Sequence, residues 1–95
     1  MPAISRYGVD KSAGHCFPAR PSDSTPNGTV YINGILANVI GAHYPTHCCS
    51  TVCHDSYACV GSPNVFFESA AVHRIGDAET CGDIQAQGSP NVFAN

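Results

Sequence analysis

Apolar and polar positions along this chain come in short bursts set off by glycine, proline and asparagine. Val30-Tyr31-Ile32 leads into Asn33-Gly34 and then into Ile35 to Ile40. Asn-Gly between strand formers predicts a two-residue β-hairpin, because both residues of that turn take positive φ. Apolar residues never recur at i, i+3, i+4 for more than two turns, and Gly or Pro interrupts most windows. No helix is therefore predicted.

The hairpin pattern repeats. Gly61-Ser62-Pro63-Asn64-Val65-Phe66 returns as Gly88-Ser89-Pro90-Asn91-Val92-Phe93, and Asn27-Gly28-Thr29-Val30-Tyr31-Ile32 is a weaker copy. Gly41 follows Val30 by the same eleven residues that separate Gly76 from Val65. In the second copy Glu68-Ser69 occupies the turn, a weaker turn pair. The third copy reaches Asn95, where its turn should begin, and Ala3-Ile4-Ser5-Arg6-Tyr7-Gly8 lines up with Ala71-Val72-His73-Arg74-Ile75-Gly76. The N-terminal segment is expected to lie beside the C-terminal strand and complete a third hairpin. The expectation is an all-β single domain over residues 1–95, a closed threefold arrangement of three short hairpins that leaves few strand edges open.

Composition narrows the function. Only 12% of the 95 residues are charged, and four basic against seven acidic residues make no phosphate-binding surface, which argues against nucleic acid. No apolar run approaches the ~18–20 residues of a membrane-spanning helix. The start, Met1-Pro2-Ala3-Ile4-Ser5-Arg6, lacks the layout of a signal peptide. A chain made in the cytosol uses cysteine for metal more readily than for disulfides.

Candidate chemistry lies after the glycine that ends each return strand. The loop after Gly8 holds His15-Cys16, that after Gly41 holds His43, His47-Cys48-Cys49 and Cys53-His54, and that after Gly76 holds Cys81. A threefold axis brings these loops to one end, where four such ligands would form a closed zinc site. No CxxC pair is present, so a zinc-finger reading is poor; a disulfide framework and buried free cysteines stand as alternatives. Cys53–His54 and His15–Cys16 are adjacent pairs without an orienting carboxylate, so no catalytic site is expected and the chain is not read as an enzyme.

These residues carry a resemblance. Gly14-His15-Cys16-Phe17-Pro18-Ala19-Arg20-Pro21, the His47-to-His54 cluster, Arg74-Ile75-Gly76-Asp77, Thr80-Cys81-Gly82 and the repeated Gly-Ser-Pro-Asn-Val-Phe together resemble PAAR-repeat proteins, the cones that cap the spikes of contractile injection machines. The resemblance implies a small cone of three short β-hairpins around a pseudo-threefold axis with a metal-stapled apex. It implies one structural metal held by His15, His47, His54 and Cys81, zinc in the first instance with iron as an alternative. His43 competes with His47, because Ile40-Gly41-Ala42-His43 stands where the family has Gly-Asp. Cys48, Cys49, Cys53 and Cys59 are extra sulfurs near the site.

The function so implied is mechanical: a membrane-piercing tip seated one chain per trimer on a trimeric β-helical spike, contacting the target envelope transiently, with no small-molecule substrate. A phage-tail virion assembled in the host cytoplasm is the preferred setting, and a type VI secretion spike is the alternative. A small zinc-dependent binding module unrelated to injection is the competing class. Phe66, Phe93 and Tyr31 occupy equivalent positions and are expected in the core rather than against the spike.

Overall fold

A computed structural model describes residues 1–14 and 18–95. The chain is all-β, with no helix among the described residues. Among the described residues six strands form three two-stranded antiparallel sheets: β1 (Tyr31–Ile32) with β2 (Ile35–Leu36), β3 (His43–Cys49) with β4 (Val52–Tyr57), and β5 (Phe66–Phe67) with β6 (Ala70–Ala71). The first and last are the expected repeat hairpins. Asn33 and Gly34 have φ of 55° and 78°, and Glu68 and Ser69 have 53° and 68°, so both turns share the left-handed geometry although only one contains glycine. The third repeat is closed across the chain ends. Ala3 bridges Phe93, Ile4 N–H donates to Val92 O at 3.0 Å, and Ala94 N–H donates to Pro2 O at 3.0 Å.

Three return segments meet on an axis. Ser5 N–H donates to His73 O, His73 N–H to Asn38 O, and Asn38 N–H to Ser5 O, each at 2.9 Å. This closed triangle joins one residue from each repeat, and all three residues are fully buried. Bridges Ile4↔Arg74, Val39↔Val72 and Arg6↔Ala37 flank it in the same cyclic order. Pairing each segment with two neighbours satisfies its backbone polar groups without a conventional sheet. The resulting body measures 37 × 23 × 22 Å.

Repeated residues do repeated work. Ser62 and Ser89 hydroxyls accept from Val65 N–H and Val92 N–H at 2.9 and 3.0 Å, and Asn27 Oδ1 accepts from Val30 N–H at 3.0 Å. Arg74 forks onto Asp77, and Arg6 onto Asp10 despite the intervening Val9. In the first repeat Thr25 Oγ1 takes the carboxylate's place and accepts from Val39 N–H at 3.3 Å. Hairpin turns also reach the next repeat: Asn33 bonds Ser89 and Asn91, while Glu68 accepts from Gly28 N–H and from the Thr29 hydroxyl.

The apolar core falls in two parts. Ile4, Ile32, Ala37, Val72 and Ala94, with Val65, Phe67 and Val92 against them, fill the space between the repeat hairpins. Ala42, Tyr44 and Ala58 form a smaller cluster under β3–β4. Two expectations need correcting. Tyr31, Phe66 and Phe93 are 59%, 55% and 48% exposed, because strand alternation sends their neighbours Ile32, Phe67 and Ala94 inward instead. The His- and Cys-rich stretch after Gly41 is a hairpin, β3–β4, rather than a loop.

Candidate metal centre

The β3–β4 hairpin carries most of the candidate ligands. His47 faces His54, Cys48 faces Cys53, and Cys49 faces Val52, but the register slips by one residue between Tyr44 and His47. This bulge inserts an extra residue in β3. It puts Tyr44 and His47, three positions apart, on the same buried side, where regular alternation would separate them. Ser56, opposite Tyr44, is buried on that side too.

His47, His54 and Cys81 come together, with one ligand atom from each lying within 4.8 Å of the others. Cys81 arrives on the segment that pairs along β4, where Thr80 N–H donates to Tyr57 O at 2.9 Å and Ala58 bridges Glu79. Its thiol is not part of a disulfide. His47 Nδ1 lies 2.8 Å from Pro45 O. Only an Nδ1–H can make that contact, so the neutral ring turns the Nε2 lone pair toward His54, the tautomer a metal needs. The two Nε2 atoms are 2.9 Å apart. Two nitrogens on one tetrahedral zinc sit ~3.3 Å apart at ordinary zinc–nitrogen lengths, so a slight opening of the pair admits an ion. Two imidazoles and a thiol form a donor set suited to zinc and to neighbouring first-row metals. The group can therefore bind a metal ion.

Three of the four ligands implied by the resemblance are thus brought together, and His15 lies outside the described residues. His43 is not in the group. Its Nδ1 is 2.5 Å from Asp23 Oδ1 and its Nε2 is 3.5 Å from Asp55 Oδ2, and the hydrogen bond to Asp23 holds its pKa above the ordinary value. Asp55 in turn accepts from the Thr46 hydroxyl.

The cysteines depart from the metal-over-disulfide expectation. Cys48 and Cys53 form a disulfide, with Cα atoms 4.0 Å apart, and Cys49 is disulfide-bonded as well. Sequence reasoning missed a signal here. Residues 47–54 read His-Cys-Cys-Ser-Thr-Val-Cys-His, and folding about Ser50-Thr51 sets His against His and Cys against Cys.

Part of the interior is polar. The Tyr44 hydroxyl donates to Gln85 Oε1 at 2.5 Å, and both residues are fully buried. Glu79 is buried, with no hydrogen-bond partner for either carboxylate oxygen among the described residues, and burial, helped by Asp83, pushes its pKa up to about 7. His73 donates from Nδ1 to Val60 O at 2.8 Å, and burial lowers its pKa. Neither family models nor curated proteins yield a match to this chain.

Proposed function

We propose that the chain is a PAAR-like spike tip that caps a trimeric β-helical spike of a contractile injection machine, foremost a phage tail, and helps pierce the target envelope. The observation that carries this reading is the exposure of Tyr31, Phe66 and Phe93. These are equivalent residues of three pseudo-symmetric repeats, and all three are exposed. One chain with three similar faces matches a true trimer, which a conventional monomeric domain does not. Exposed aromatics in a repeated arrangement are the anchors expected of such a contact. Short hairpins at that end offer main-chain groups that can extend the spike's strands.

The metal group supports the same reading. A narrow tip has little room for apolar core, and tying separate segments to one ion supplies folding free energy without bulk. His47, His54 and Cys81 would hold the ion, with His15 as the fourth ligand implied by the resemblance; zinc is the proposed metal, and its role is structural.

Mixing the chain with a trimeric β-helical spike fragment and weighing the complex by native mass spectrometry tests the reading. One chain per trimer is expected, with binding lost in Tyr31→Ser/Phe66→Ser/Phe93→Ser. Failure to bind, or three chains per trimer, would leave a small metal-dependent binding module as the better account.

A further inference from the structure

The Cys48–Cys53 disulfide lies one rung beyond the His47–His54 pair toward the turn of β3–β4. Alternation puts the two cysteines on the outer side of the hairpin, where both are exposed, while His47 is buried on the inner side. The sulfurs therefore cannot join the metal group without unpairing the strands. What they do is hold the rung next to the ligands in register. That register needs holding: the hairpin carries a bulge before His47, and its turn places Ser50 at a φ of 58°, a left-handed conformation costly for serine. A one-residue slip would send His47 and His54 to the outer face.

We propose that this disulfide and the metal are thermodynamically linked, so that the apex holds its ion tightly only when Cys48 and Cys53 are oxidised. The inference rests on the metal-centre reading. Oxidation proceeds by thiol–disulfide exchange with a low-molecular-weight disulfide such as oxidised glutathione. One protein thiolate attacks a glutathione sulfur and expels a glutathione thiolate. The second protein thiolate then attacks the mixed disulfide and expels the other. Two electrons pass from the cysteine pair to the glutathione disulfide, and the two thiol protons end on two glutathione thiols. The product fixes His47 opposite His54, so the ion meets a formed pair. By reciprocity, a bound ion stabilises the oxidised pair by the same factor.

The test is zinc affinity of the full oxidised chain, by competition with a chromophoric chelator, against Cys48→Ser/Cys53→Ser and Cys48→Val/Cys53→Val. The valine pair keeps strand propensity at the rung, so hairpin loss does not decide the outcome. Both variants are expected to bind zinc roughly 10–100-fold more weakly, the scale of losing an outer support of a metal site. Affinity within twofold of the parent in either variant would overturn the linkage while leaving the metal centre standing. In glutathione buffers, the ratio of squared thiol to disulfide that half-reduces Cys48–Cys53 should rise by the same factor once zinc is bound. An unchanged ratio would overturn the proposal. No zinc binding by the oxidised parent would remove the metal reading and the linkage together.

Discussion

At the scale of single residues, the candidate site depends on contacts that set tautomer and protonation. Pro45 O fixes the His47 proton on Nδ1 and so presents Nε2 to the site. Glu79 is a buried carboxyl two residues before Cys81. Its unfolded carboxyl titrates near 4.5 and its buried one near 7, so the folded chain keeps a proton that the unfolded chain releases between those values. The Glu79 contribution to the stability of the metal-free protein should therefore fall as pH rises from about 4.5 to 7, by on the order of 2–3 kcal/mol, while buried His73, its pKa lowered, contributes in the opposite direction below its ordinary value. Urea unfolding of the parent and of Glu79→Gln across that range checks this: the stability of the parent relative to the variant should fall by that amount, and a pH-independent difference would show that Glu79 does not carry the effect. His47, His54 and Cys81 were legible in the sequence as ligand types in family-like positions. Glu79 was not, because a carboxylate in a short polar stretch reads as surface until the segment is seen to pack along β4.

At the scale of elements, two features of the repeat are open to direct test. Ser69 sits at a φ of 68° in a turn whose counterpart is Asn33-Gly34. Ser69→Gly should relieve that strain and raise stability by roughly 1 kcal/mol, measured by urea unfolding. The glycine that opens each Gly-Ser-Pro-Asn-Val-Phe segment packs directly on a return strand: a Cβ at Gly88 would lie 2.9 Å from Ile4 O, and one at Gly61 would lie 2.7 Å from Val72 O. Gly88→Ala should cost roughly 1–3 kcal/mol, as overpacking does. Gly28→Ala, which meets nothing within 4 Å, should be close to neutral. Equal effects would mean that the repeat glycines are kept for something other than close approach.

The repeat hairpins were readable because Asn-Gly and the spaced glycines mark them. The Glu68-Ser69 turn looked weaker than it is, since part of its support comes from Gly28 and Thr29, about forty residues away. The β3–β4 hairpin escaped notice because Pro45 and a cluster of cysteines obscure strand alternation, and the bulge breaks its period. The mirror order of residues 47–54 was the only local clue.

At the scale of the whole molecule, the hydrogen-bonded triangle of Ser5, Asn38 and His73 defines the axis about which the hairpins repeat. The threefold plan was legible from sequence because equivalent segments share residues. The side on which the aromatics fall was not, since Tyr31-Ile32 and Phe66-Phe67 are apolar at both positions and only packing decides which one faces in. Because Tyr31, Phe66 and Phe93 are exposed, replacing all three with serine should change folding stability by no more than about 1.5 kcal/mol, the sum of ordinary surface effects. The same variant should lose the proposed spike contact. A large stability loss would return these side chains to a core role.

Metal content is the most direct test of the account, because the proposed ion would join the β3–β4 hairpin to Cys81. Elemental analysis with native mass spectrometry, on protein purified without added metal, should find one zinc or iron per chain, lost in Cys81→Ser and in His54→Ala. Parent protein without metal, or a full equivalent retained in Cys81→Ser, would contradict it.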